Sequence, residues 1–321
     1  MKFRTEIDVP AFGQKISHSQ QGFSIGSCFA ESMAERLRRC KFPLGSNPFG
    51  VLYNPFSIAD ALESLTAERV WTQADLCTDG ELWFSYAHHG SFSTLTSDGA
   101  LAGMNEATRH GAEALATEDW VIVTFGTAWV YELGGRVVAN CHKQPAQLFT
   151  RRRLSADEIV SRFSALLDGP LKDRQVIFTV SPVRHLKDGF AENSLSKAIL
   201  RLAVGELVEK YPDALYFPAY EIVNDDLRDY RFYAGDLVHP SEAAVEYVWE
   251  KFAGAAFGDE TKELLPGIEN IVRAAAHRPF NEDTESHACF RQGMLRQARQ
   301  LQARHPEIDL SAEIEFFGGG L

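Results

Sequence analysis

Four short, mostly apolar runs punctuate the chain: FSIG at 23–26, WVIVTF at 120–125, QVIFTV at 175–180 and ALYFPA at 214–219. Runs this apolar on both alternations of a strand need cover on both faces, the pattern of parallel strands inside an α/β sandwich. Between them, apolar residues recur at helical spacing. Phe29, Met33 and Leu37 follow the first run, and Ile159, Phe163, Leu166 and Leu167 precede the third. Leu195, Ile199, Leu202 and Leu207 precede the fourth, and Val245, Val248, Trp249 and Phe252 come after it. Strand alternating with helix predicts right-handed crossovers and an open, doubly wound sheet. Residues 70–118, rich in Thr, Ser, Gly and His, break the rhythm and predict an insertion with irregular or small β structure. From 258 to 321 the chain turns charged and helical. With no Pro/Gly/Ser linker before it, this stretch predicts a helical extension packed on the main unit, 1–257.

Composition narrows the functional classes. A chain of 321 residues with 45% hydrophobic content buries a large core unaided. Its net charge of -12 argues against a nucleic-acid binder, and Arg151-Arg152-Arg153 reads as a solvated segment. The first residues, MKFRTEIDVPAFGQ, interrupt with charge and proline the apolar stretch that an export signal needs, and no run long enough to span a membrane occurs, so the expectation is a soluble cytoplasmic protein. Cysteines 28, 40, 77, 141 and 289 form no CxxC pair, which argues against a disulfide framework or a cysteine zinc site. His88 and His89, adjacent on a strand, would face opposite ways. No metal and no cofactor are expected.

The first candidate chemistry lies in GFSIGSCFAESMAERL, residues 22–37. In an open α/β sheet, functional groups gather where strands end and helices begin, at converging N–H groups and positive dipole ends. Gly26 permits a tight turn that exposes the next side chain. Ser27 is either a nucleophile or a helix N-cap, a position serine favours. A capping box would want Glu or Gln where Ala30 stands. Cys28 is either a small buried apolar residue or a thiol activated by the helix terminus. A serine nucleophile needs a histidine oriented by a carboxylate. The stretch YRFYAGDLVHPSEAAVEYVWEKF, 230–252, holds one: Asp236 and His239 in a turn that Pro240 stiffens, ahead of a helix opened by Pro240 or Ser241.

At these residues the chain resembles the GSCFA domain family, a branch similar to the SGNH (GDSL-like) hydrolases. The likeness rests on GSCFA at 26–30, NPFGVLYNP at 47–55, GTAWVY at 126–131, ANCHKQP at 139–145, SPVRH at 181–185, PAYEI at 218–222 and RDYRFYAGDLVHPS at 228–241, and covers about 20–255. It implies a three-layer α/β/α SGNH fold with Ser27 as nucleophile, His239 as general base and acid, and Asp236 as its orienting carboxylate. It also implies an oxyanion hole in which Gly50 matches the superfamily glycine. The superfamily's Gly-x-Asn departs here to Gly126-Thr127-Ala128, so the second donor must come from elsewhere. Asn140, His142, Trp129 and Tyr131 offer it, as do Asn47 and Asn54. His185 is either a loop histidine bonded to backbone or a substrate contact, joined in that role by His142, Trp129 and Tyr131.

What the resemblance implies is hydrolysis of a small acyl ester, with an O-acetylated carbohydrate as the substrate class. Phe49, Tyr53, Trp129, Tyr131 and Tyr233 offer sugar-stacking faces, though core packing suits them equally. Two alternatives stay open: a non-catalytic ligand-binding domain of the same fold, and an O-acyltransferase using the same triad. A dinucleotide enzyme is disfavoured, since no GxGxxG follows the first strand.

Overall fold

The computed structural model describes residues 4–277, 281 and 284–319. Its strands, in chain order, are β1 (Gly22–Gly26), β2 (Leu44–Ser46), β3 (Cys77–Thr78), β4 (Trp83–Phe84), β5 (Trp120–Phe125), β6 (Trp129–Leu133), β7 (Arg136–Val138), β8 (Thr150–Arg153), β9 (Gln175–Val180) and β10 (Ala214–Phe217). The helices are α1 (Cys28–Arg39), α2 (Pro55–Thr66), α3 (Ser97–Thr117), α4 (Ala156–Asp168), α5 (Gly189–Lys210), α6 (Ala219–Glu221), α7 (Glu242–Ala256), α8 (Asp259–Ala276), α9 (Glu285–Arg304) and α10 (Ser311–Gly318).

Five strands make one sheet in the order β10-β9-β5-β1-β2, every pair parallel. Strand alternation divides their side chains between two cores. Phe23, Ile25, Val121, Val123, Phe125, Val176 and Phe178 pack under α2 to α5, while Trp120, Ile122 and Ile177 pack against Phe29, Met33 and Leu37 of α1 and Val248, Trp249 and Phe252 of α7. The result is the expected three-layer α/β/α sandwich. From β1 the chain steps outward to β2, then crosses back to β5 on the other side, so the winding reverses between β1 and β5. A crevice for ligand opens at the carboxyl ends of strands at such a reversal.

Two expectations change. The fourth run ends as a strand at Phe217, because Pro218 has no N–H to continue the ladder. The insertion is confined to about 70–96, where β3 and β4 pair, since α3 occupies the remainder of that region as a 21-residue helix of the sandwich. Its buried positions Ala100, Met104, Thr108, Gly111 and Leu115 keep helical spacing but are mostly small, so the composition resembles loop. Small residues are needed there: a Cβ on Gly111 would come within 2.7 Å of Leu65 and Pro48. Thr96 starts the helix by accepting from the Gly99 N–H.

The helices α8 to α10 hold a small core of their own, including Ile268, Ile271, Leu295, Ile308 and Phe317. They meet the sandwich through an ion pair from Lys41 to Glu313 (2.7 Å) and the Cys40 thiol facing Glu269. No helix among the described residues is long and apolar enough to cross a membrane.

Candidate functional site

The turn after β1 is shaped by Gly26. Its φ is +142°, and a Cβ there would lie 2.2 Å from the Thr124 carbonyl oxygen, so only glycine lets β1 end this close to β5. Asn47 accepts from the Gly26 N–H through its side chain (2.8 Å), and Gly26 in turn accepts from the Leu52 N–H (2.9 Å). Ser27 then has the extended backbone of an N-cap, yet its hydroxyl makes no capping bond. The residue is 1% exposed and its Oγ is buried without a partner. Cys28 is the first residue of α1 and lines a cavity of about 500 Å³ at the sheet's carboxyl edge. Of the two neighbours at this junction, Cys28 lines the cavity, whereas Ser27 is buried beside it. Advancing one residue at a strand-to-helix junction swings the side chain to a different side of the backbone.

His239 lines the same cavity. Its Nδ1 is 2.6 Å from Asp236, whose other oxygen accepts from the Val238 and His239 N–H groups at 2.9 and 3.0 Å. Those amide hydrogen bonds, with the imidazole after them, hold the Asp236 carboxyl at about 2. The carboxylate is thus ionised across the physiological range, and the Nδ1 contact leaves Nε2 as the ring's free nitrogen. Ser241 caps the following helix by accepting from the Ala244 N–H. The i, i+3 spacing and this cap make the arrangement local.

Beneath the cavity floor lies Lys197 of α5, 1% exposed and without a carboxylate partner among the described residues. Its ammonium donates to the carbonyls that end β5 and β9, Gly126 and Ser181, at 2.6 Å each. Burial depresses its pKa to about 7, and the neighbouring Cys28 opposes that shift. Cys28 experiences the reciprocal balance. Burial raises its pKa, while the N–H groups of Phe29 and Cys28 and the Lys197 charge pull it down. His185 also lines the cavity, donating from Nε2 to the Gly126 carbonyl (3.1 Å); burial first, then the Lys197 charge, drops it to about 4, which keeps it neutral.

The other sequence-derived site residues divide. Trp129, Tyr131, Asn54 and Asn140 line the cavity. Asn54 caps α2 by accepting from the Ser57 N–H and donating one of its two amide N–H groups to the Ser57 hydroxyl, which leaves the second N–H unassigned. Asn140 accepts from the His142 N–H through Oδ1, leaving its Nδ2 as the available amide donor at the cavity wall. Gly50 is corrected: its N–H donates to the Asn47 carbonyl at 2.7 Å and it does not line the cavity. His142 is corrected as well. Its ring stacks on Phe84 at 4.3 Å and bonds the Ser85 carbonyl, which makes it a structural histidine packed against the insertion. Ala128 is fully buried in the core, while its neighbour Thr127 lines the cavity.

A model described as the GSCFA family matches residues 21–252, and one described as the GSCFA domain protein C-terminal domain matches 268–320. The chain belongs to the GSCFA family. No curated protein matches its sequence. In this GSCFA chain the five residues 26–30 divide their duties: Gly26 makes the turn, Ser27 is buried, Cys28 meets the cavity, and Phe29 and Ala30, 2% and 0% exposed, anchor α1 on the sheet. Arg151, expected in a solvated segment, is instead half-buried at the cavity wall, and Arg184 lines the same cavity. Arg151 pairs with both oxygens of Asp188 and stacks at 4.1 Å on Trp129, and Arg184 stacks at 3.8 Å on Tyr233. Lys197 had a legible signal, since it occupies the stripe of Asn193, Leu200, Val204 and Leu207 that α5 buries. Asn193 lies within α5 and accepts from the His185 N–H.

Proposed function

We propose that the protein cleaves or transfers an acyl ester, with Cys28 as nucleophile, His239 as its general base and acid, and Asp236 as the carboxylate that orients the ring. The observation that carries this reading is the placement of the Cys28 thiol and the His239 ring in one cavity, with the Ser27 hydroxyl buried outside it. Because burial raises the thiol's pKa, Cys28 rests protonated and depends on a base during attack. As Sγ bonds to the ester carbonyl carbon, His239 Nε2 takes the thiol proton. The carbon–oxygen bond then breaks and the alcohol departs with that proton. Water or a sugar hydroxyl, deprotonated by the same ring, releases the acyl group. Lys197 and the first amides of α1 supply positive potential to the forming thiolate, and Asn140 Nδ2 at the cavity wall is the oxyanion donor in this reading. Small acyl esters of carbohydrates remain the proposed substrates, with Tyr53 and Tyr131 presenting aromatic faces.

The test is hydrolysis of 4-nitrophenyl acetate by the wild type and by Cys28→Ala, His239→Ala and Ser27→Ala, with peptide mapping of acyl and alkyl adducts. Cys28→Ala and His239→Ala should each lose roughly 10²-fold or more in kcat/KM, and Ser27→Ala should stay within a few-fold. A fluorophosphonate adduct on Ser27, with turnover lost in Ser27→Ala and kept in Cys28→Ala, would return the nucleophile to the serine. Absence of any acyl-enzyme in a folded wild type would favour a binding domain.

A further inference from the structure

We infer that the ligand of this cavity carries an anionic group, a carboxylate or phosphate, held by Arg184. The inference rests on the acyl-transfer reading for the cavity's purpose, but its geometry is independent of the nucleophile. Arg184 lines the cavity beside His239, its backbone N–H donating to the Val238 carbonyl (3.2 Å). Its guanidinium lies over Tyr233 at 3.8 Å and near Tyr230 at 5.1 Å, which fixes the planar fork before any ligand arrives. No carboxylate comes within ion-pair range of it among the described residues, and its Nη1 is buried with no partner.

The acids at and beside the cavity, Asp188 and Asp236, are already engaged. Both Asp188 oxygens bind Arg151, and both Asp236 oxygens are taken by His239 and two amide N–H groups. Lys187 donates to the Tyr131 hydroxyl, and Lys197 lies beneath the floor bonded only to carbonyls. Among the described residues, Arg184, Lys187 and Lys197 thus gather here with no carboxylate in ion-pair range of any of them, in a chain whose net charge is -12. A partly buried cation is costly unless paired, and a planar, preorganised guanidinium matches a carboxylate or phosphate edge. The same potential steers an anionic substrate toward the nucleophile.

Two reagents of nearly equal size, iodoacetate and iodoacetamide, differ in charge and report on this directly. Their rates at Cys28, followed by peptide mass and each divided by the rate with glutathione, give a preference for the anion. The wild type should favour iodoacetate about tenfold, the size of one charge-assisted hydrogen bond. Arg184→Met should bring the ratio to near one, and Arg184→Lys should fall between. A wild-type ratio equal to that of glutathione, or a preference that survives in Arg184→Met, overturns the inference.

A second measurement avoids the thiol: the rise in thermal denaturation midpoint with D-glucuronate against D-glucose, sugars that differ by the carboxylate. Glucuronate should stabilise the wild type more than glucose does, and the difference should vanish in Arg184→Met. Equal effects of the two sugars on the wild type count against the anion site. Inert Cys28 with this difference intact would remove the nucleophile and leave the anion site standing. Normal ester turnover without charge preference would do the reverse. A phosphate source is separated by repeating the comparison with glucose 6-phosphate.

Discussion

Lys197→Met should make the protein more stable at neutral pH and less reactive at Cys28. Burial shifts the lysine from its ordinary 10.5 to about 7. At about 1.4 kcal/mol per tenfold change in proton affinity, keeping the ammonium charged in the native state costs about 5 kcal/mol. Methionine fills similar space without charge. It also removes the donor to Ser181, whose carbonyl loses its only described hydrogen bond, a penalty of about 1–3 kcal/mol. The Gly126 carbonyl keeps His185. The net expectation near pH 6 is a gain of about 2–4 kcal/mol.

The pH dependence follows from the depressed pKa. Between about 7 and 10.5 the unfolded lysine holds a proton that the folded one has released, so wild-type stability rises with pH relative to the variant. The advantage of Lys197→Met should shrink by about 1.4 kcal/mol per pH unit across that window and reverse near its top. Urea unfolding of both proteins at pH 6 to 10 measures the difference, in which the titration of shared groups cancels. Parallel curves, or a wild type more stable than the variant at pH 6, would refute the reasoning. The accompanying loss of Cys28 alkylation rate in the variant separates an electrostatic lysine from a purely structural one.

Other outcomes follow from the same geometry. Gly26→Ala places a methyl group 2.2 Å from the Thr124 carbonyl at φ +142° and should cost about 3 kcal/mol or more, whereas Gly103→Ala, in open space on α3, should gain about 0.5–1 kcal/mol; chemical denaturation reads both. His88 is buried among Phe49, Trp71 and Phe92 with neither ring nitrogen bonded, and burial drops its pKa to about 3. The unfolded chain therefore takes up a proton first as pH falls from 6.5 toward 3, and wild-type stability declines over that range. His88→Phe should widen its lead over the wild type by up to about 1.4 kcal/mol per pH unit there, and a constant difference would contradict this.

The sandwich was legible because its strands are apolar on both faces, a local pattern that needs no knowledge of partners. The Asp236–His239 pair was legible for the same reason, since three residues of turn hold the carboxylate against the ring. Gly26 announced its turn, although the contact that forbids a side chain comes from Thr124, nearly a hundred residues away. The helix α3 was hidden by its small residues, which mean close packing in the fold and loop in the sequence. The choice between Ser27 and Cys28 was beyond the sequence. Both stand at one junction, and only the docking of α1 on the sheet decides which side chain the crevice receives. The cationic surroundings were likewise decided by tertiary structure: Lys197, Arg184 and Arg151 come from separate elements that meet at the carboxyl ends of β5 and β9. Charge in a site depends on distances through space, and sequence spacing records those only within a turn or a helix.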